Sequence, residues 1–444
     1  MKSTRFMTVA ASIALSWGIS ASAITLEATP GSLSSLIAEI PAGESTLVIN
    51  GAIDGRDFKA LAELPASISK LDISNLLIKR VSLAAPSIDG KYEFPANELS
   101  SYLFINSPLE SVTLPSSLKQ IPEGFFAGSK IKNITLGGEI NAIGDYAFHN
   151  CTQLQSVALP SSVKSIGTMA FAGCSALNDI KLPNGVELNG EAIFSSTKIS
   201  SLDLSKTVYV GDYALAGNSN IKETTLNPNA EYGEGVFMNS PVEHVSAVPS
   251  HIPALFFTNV KSPAMAEFLS NVVEIGPFAF AGTGVEEFAL PSTLSHIEEG
   301  AFLNLYNLYA IDAEALNDNI PDVDETAFDG ILTENVTLYV TEQSMPLWEE
   351  HPVWGRFMIK SGISTTVIPD NASNVLIQAD GNSIRISAPG AIGEYNIYSI
   401  GGNTLLSGKT AETSIVIDSS SISERVIIVR VANENGVTTR SFVI

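Results

Sequence analysis

Cysteine and histidine are the side chains best suited to nucleophilic or metal chemistry, and this 444-residue chain has two of the first and five of the second. Cys151 and Cys174 lie 23 residues apart. In an oxidising compartment they could form a disulfide, whereas a catalytic thiolate would need a base beside it. His149 is near in sequence but stands in a turn of variable composition. His149, His244, His251, His296 and His351 are scattered, with no two at a metal-ligand spacing on one helix. His296-Ile297-Glu298-Glu299 misses the spacing of a zinc-protease helix. Gly402 to Thr410 imitates a phosphate-binding loop, yet Asn403 occupies the place of its first glycine and no helix follows. Gly282-Thr283-Gly284 has Glu287 where a dinucleotide fingerprint wants its third glycine. Gly217-Asn218-Ser219 and Gly381-Asn382-Ser383 lack the closing glycine of a nucleophile elbow. The expectation is a non-enzyme without metal or cofactor.

Carboxylates are the remaining chemistry. With 24 Lys+Arg against 47 Asp+Glu the formal charge is -23, which repels phosphate backbones and anionic headgroups and leaves cationic partners. Between Lys261 and Arg356 there is no Lys or Arg, while Asp and Glu number 17. Asp318, Asp322, Asp324 and Asp329 offer hard oxygen ligands for Ca²⁺ or contacts for a basic protein. The stretch lacks the glycine-containing loop of an EF-hand, so of the two ligand readings a protein partner with a basic patch is the stronger, beside the plain account that the charge serves solubility and resistance to aggregation.

These residues are positioned by a repeat. One copy runs from Leu154 to Cys174: Leu154, Val157 and Leu159 face inward on a short strand, Pro160 stops it, and Val163 and Ile166 mark a second extended segment. Gly167 and Gly173 permit corners, and between them Ala170 and Phe171 are expected to form one helical turn whose ring plugs the interior. The ring recurs at Phe104, Phe126, Phe148, Phe171, Phe194, Phe237, Phe257, Phe280, Phe302 and Phe328, with Leu215 in one place, mostly 20 to 23 residues apart. A period in the low twenties is the signature of leucine-rich repeats, whose coils cannot bury an apolar face alone and stack to share one core.

Ile143-Gly144-Asp145-Tyr146-Ala147-Phe148, the copy from Ile166 to Cys174, and Ile275-Gly276-Pro277-Phe278-Ala279-Phe280-Ala281-Gly282 resemble the BspA-like bacterial leucine-rich repeats, over roughly Leu109 to Lys360. The pattern blurs from Pro249 to Phe268, where one irregular coil is expected. The resemblance implies a right-handed solenoid of short parallel strands and helical turns, about ten coils in all. It places both cysteines in a core-facing Phe-x-x-Cys slot as free thiols, and it implies a surface-exposed protein that binds or adheres to other proteins. Trp348 and Trp354 would seal the end. A glycan-capturing protein and a structural envelope protein without a soluble ligand are the alternatives.

On the strands, the pattern turns Ser156, Asp179, Lys181, Ser201, Asp203, Glu223, Thr225, His244, Glu287 and Asp312 outward, onto an expected concave face. Asp179, Asp203, Glu223, His244, Glu287 and Asp312 are the candidate binding residues there, beside the acidic four.

The flanks complete the plan. Lys2 and Arg5, the apolar stretch Phe6 to Ile19, and Ala21-Ser22-Ala23 read as an export signal over residues 1–23, leaving Ile24 first. Residues 24–107 read as a capping region with short helices over Ser32 to Ile40 and Gly55 to Glu63, strands at Leu47 to Ile49 and Leu71 to Ile73, and an irregular insertion from Lys79 to Asn97. The solenoid follows at 108–360 and a polar linker at 361–374. Residues 375–444 read as a small immunoglobulin-like β-sandwich with turn dipeptides such as Pro389-Gly390 and Asn435-Gly436. Tyr395 to Gly402, Ile427 to Val431 and Ser441 to Ile444 resemble a type IX secretion sorting domain. Ser423-Glu424-Arg425 replaces the Gly-x-Tyr of that pattern, which leaves a plain stalk as the alternative. A secreted or cell-surface protein on a Gram-negative outer surface is expected, with no transmembrane segment.

Overall fold

A computed structural model describes residues 23–84, 91–261, 269, 271–361, 376–380, 383–388, 390–399, 404–418, 422, 426–433 and 436–443. The expected signal, all but Ala23, and the linker after Ser361 lie outside them. The chain divides into two compact units, Met1–Ser240 and Pro241–Ile444.

In the first unit the repeat lays down two rows of short parallel strands. The first row joins Ile24–Ala28, Thr46–Ile53, Lys70–Asp72, Ser111–Thr113 and Asn133–Thr135 in one sheet, then Ser156–Val157 with Asp179–Ile180, then Ser201–Asp203 with Glu223–Thr225. The second row is a continuous six-stranded sheet over Gln120–Ile121, Ala142–Ile143, Ser165–Ile166, Glu187–Leu188, Tyr209–Val210 and Glu231–Tyr232. Register is one residue to one residue, as in Ser165↔Glu187 and Ile166↔Leu188, so every coil puts the same apolar position inside. Phe104, Phe126, Phe148, Phe171 and Phe194 accordingly stack with centroids 5.1 to 5.7 Å apart, and such pairs add about 0.5–1.5 kcal/mol each beyond their burial.

The corner that carries each ring is not the helical turn the sequence suggests. N–H groups alternate between two destinations: Ala170, Ala172 and Cys174 donate three residues back within the corner, while Met169, Phe171 and Gly173 donate to Glu191, Ile193 and Ser195 of the next coil. Alternation requires left-handed backbone, with φ +50° at Met169 and +73° at Gly173, and an α-helix has no such residues. Gly167 is small for another reason, since a Cβ there would lie 2.8 Å from the Asp145 backbone nitrogen. Among the described residues helix is confined to short segments, namely Leu33–Ile37, Phe58–Ala62 and Met345–Glu350 with a few 3₁₀ turns.

Among the described residues the two units together show about 14 turns, against the ten expected. The extra ones lack the phenylalanine corner by which coils were counted, as at Ile24–Ala28, Thr46–Ile53 and Lys70–Asp72, which pair directly into the repeat sheet. Asp57, 1% exposed, holds this end by accepting from the N–H groups of Gly31, Leu33 and Asp54 at 2.7, 3.0 and 3.2 Å. The insertion after Lys79 contains an antiparallel hairpin, Val81–Ala84 with Lys91–Phe94.

The second unit repeats the two rows with Glu287–Ala289, Ala310–Asp312, Thr337–Val340 and Met358–Ser361 in the first, and His251–Ile252, Glu274–Ile275, His296–Ile297 and Asp322–Val323 in the second. The irregular coil is described up to Lys261, where Phe257 already joins a ring stack with Phe280, Phe302 and Phe328 at 5.2 to 5.5 Å. Trp354 ends that stack edge-on against Phe328. Trp348, packed on Trp354, donates from Nε1 to Asn317 O at 3.1 Å. Both tryptophans are fully buried.

Beyond residue 375 the chain turns antiparallel. Leu376–Asp380, Ser383–Ser387 and Ser414–Asp418 form one sheet, and Thr404–Thr410, Gly393–Ser399, Val426–Asn433 and Gly436–Val443 another. Ile377, Ile384, Ile386 and Ile417 from the first share a core with Ile397, Val429 and Val431 from the second.

Candidate binding surface on the strand rows

Inward positions of the first row are buried by the repeat, which leaves the alternate positions to solvent. In the first unit Asp179, Lys181, Ser201, Asp203, Glu223 and Thr225 are all exposed, as expected. His244, near the start of the second unit, is exposed too. Asp179 and Asp203 share a cavity of about 370 Å³ with Lys181, Ser201, Lys206 and Thr207. Asp203 is held below the usual carboxylate range by its hydrogen bonds with Ser205, whose N–H lies 2.9 Å away, and by Lys206.

The second unit departs from this. Asp312 is 5% exposed and is not part of an open face. Its Oδ1 accepts from Glu314 N–H at 2.9 Å, and its strand neighbours Ala289 and Ala310 are likewise buried at 4% and 3%. Glu314 beside it is pushed up to about 7 by burial and by the Asp312 charge, opposed by Arg430 of the C-terminal sheets. Arg430 therefore lies within electrostatic reach of these coils. Glu287 is half-buried.

The acidic four do not form one loop. Asp322 sits on a second-row strand paired with His296, Asp324 caps Thr326 through N–H and hydroxyl bonds at 2.9 and 2.5 Å, and Asp318 and Asp329 are exposed on either side. Among the described residues no three His, Cys, Asp or Glu side chains converge on a metal position.

Two of the five histidines, scattered in the sequence, fall in one row of the fold. His251, Glu274, His296 and Asp322 occupy one outward register of the second row. His296 sits between carboxylates, with Nε2 3.1 Å from Glu298 and Nδ1 3.2 Å from Asp322, and His251 lies 3.7 Å from Glu274. The signal was present: each of the four immediately precedes the buried Ile252, Ile275, Ile297 or Val323. Cys151 and Cys174 are free and buried, with thiols donating to Phe126 O and Phe148 O at 3.1 Å. The Cys174 thiol is pushed up by its hydrogen bond with Cys151 and by burial, the opposite of an activated nucleophile.

The model of the BspA type leucine rich repeat region matches this sequence in six copies, across residues 97–222, 141–261 and 231–345. The chain belongs to the BspA-type leucine-rich-repeat family. Among solved structures this BspA-type chain is similar to a leucine-rich repeat protein from Bacteroides ovatus, at 18% identity and TM-score 0.40 over 58% of this chain and 61% of that one. It thus spans under two thirds of that protein. A leucine rich cell surface protein from Faecalibacterium prausnitzii (16%, TM-score 0.33, 76% and 86% covered) and the pneumococcal vaccine antigen PcpA (16%, 0.32, 78% and 96%) are further likenesses. No curated protein matches the sequence. Leucine-rich-repeat solenoids are typically non-enzymatic binding scaffolds, and the family match indicates no catalytic family. No helix among the described residues is long and apolar enough to cross a membrane.

Proposed function

We propose that this BspA-type protein is exported, held at the outer surface of a Gram-negative cell, and used there to bind or adhere to a protein partner. The observation that carries the reading is the exposed polar row from Asp179 to Thr225, a set of side chains that the fold turns to solvent while the residues between them, Ile180, Leu202 and Thr224, are buried. In the first unit the first contact is the set of Asp179, Asp203 and Glu223; in the second unit His244, Glu287 and the acidic segment of Asp318, Asp322, Asp324 and Asp329 make separate, electrostatic contributions. A net charge of -23 favours a partner with a basic patch. The cavity lining includes no aromatic ring, which weighs against glycan capture. The C-terminal sheets act as an immunoglobulin-like sorting domain for type IX export. Deletion of residues 375–444 is expected to leave the solenoid in the periplasm, and normal display of the shortened form would refute that role.

The test of the binding reading is a panel of purified extracellular matrix and bacterial surface proteins, set beside a glycan array, with residues 24–444 as the labelled probe. Saturable binding to a protein, weakening between low and physiological salt, is expected. Saturable binding to glycans alone would overturn it.

A further inference from the structure

Neighbouring coils can be clamped at the first row, the second row and the corner, and among the described residues the first-row ladder is interrupted both between Asn133–Thr135 and Ser156–Val157 and between Asp179–Ile180 and Ser201–Asp203. Between the coil of Asp179 and that of Ser201 two clamps hold: Glu187 and Leu188 pair with Tyr209 and Val210, and Ala192 and Phe194 donate to Asp212 and Ala214 at 2.9 Å. The first row does not. Among the described residues no ladder joins Asp179–Ile180 to Ser201–Asp203. The opening is bounded by Lys198 N–H on Leu177 O at 2.9 Å at one end and Gly185 N–H on Lys206 O at 2.8 Å at the other. The two coils are thus laddered behind and not in front, and the cavity of about 370 Å³ lies on that unladdered front.

Its walls carry both signs of charge. Asp179 begins one short strand and Lys181 follows two residues on, just past Ile180, about 6.6 Å away along extended backbone, while Asp203 is the charged residue of Ser201–Asp203 on the next coil. Lys206 adds a second ammonium. A lone cation would meet the lysines and a lone anion the aspartates, so neither suits the whole cleft. An extended chain turns every second side chain to one face, which matches the spacing of Asp179 and Lys181. The volume lies at the small end of the ~300–1,000 Å³ of ligand pockets, suited to a few residues and not to a folded domain.

We propose that this ladder break is a peptide-docking cleft that takes an extended segment whose basic and acidic side chains alternate at every second residue. The inference rests on the protein-binding reading above and names the part of the partner that is recognised.

The test uses residues 24–444 and a fluorescent octapeptide, Ser-Lys-Ser-Glu-Ser-Lys-Ser-Glu, followed by anisotropy at low salt. Saturable binding is expected, at least tenfold weaker for the same peptide with all charged positions Lys or all Glu. It should also be at least tenfold weaker for the alternating peptide on the double variant Asp179→Asn, Asp203→Asn, and on Lys181→Met, Lys206→Met. Because these side chains are exposed, the variants should keep the parent's unfolding midpoint. Equal binding of the three peptides, or undiminished binding by folded variants, overturns the cleft. Capture of a protein partner that both variants leave intact also overturns it, while the protein-binding reading stands. Peptide binding as described with no protein partner on the panel supports the cleft and removes the adhesion reading.

Discussion

At Ser201–Asp203 both outward side chains stand in solvent, whereas at Ala310–Asp312 the outward alanine and aspartate are buried. The two strands have the same place in the repeat and the same kind of inward residue, Leu202 and Ile311, both buried. The inward residue therefore fixes the coil, and the outward residue is free to be a ligand contact or a packing surface. Alanine at two of the buried outward positions, against serine, aspartate, glutamate and threonine at the exposed ones, is how the sequence records the difference.

The widest test of inward against outward is Phe171→Ala beside Ser156→Ala. Phe171 is fully buried between Phe148 and Phe194, so its truncation should cost about 3–5 kcal/mol in chemical denaturation. Ser156 is exposed, and its change should stay within about 0.5 kcal/mol. Equal costs would break the comparison at its base.

The interior should also be chemically silent. Cys151 and Cys174, both fully buried, are expected to react with Ellman's reagent only once the chain unfolds, releasing two thiols per chain in denaturant and none before it. Labelling of the native protein would place that corner outside the core.

Solenoid, period and ring stack were legible because Phe, Leu and Gly recur in phase and each has one physical task. The corner conformation was not legible: a short run around Ala170 and Phe171 suits a helical turn or alternating left-handed residues equally, and only the hydrogen bonds to the next coil decide. Asp312 was misplaced because alternation gives the side of a strand but not what covers it. The row of His251, Glu274, His296 and Asp322 was missed because histidines were compared with each other and not with the strand phase.

The covered end makes a smaller, pH-dependent prediction. Glu314 is pushed up to about 7 from an ordinary 4.5, so between those values the folded state holds more protons than the unfolded one, and stability falls as pH rises through the window. Glu314→Gln removes the charge that burial and Asp312 oppose. It is expected to flatten the slope and to stabilise by ~1–2 kcal/mol at pH 8, a pKa unit being worth about 1.4 kcal/mol before discount for partial exposure. Thermal melts at pH 5 and pH 8 check this, and a slope that persists in the variant would assign it to another group.

The account turns on the exposed first row of the first unit being the binding face, and partner affinity in two matched variants measures that directly. One variant carries Asp179→Asn, Asp203→Asn and Glu223→Gln, and the other carries Glu287→Gln, Asp322→Asn and Asp329→Asn, each removing three charges. The first is expected to weaken partner binding at least tenfold and the second no more than about threefold through the general field. Loss confined to the second variant would contradict the account and move the binding site to the acidic coils.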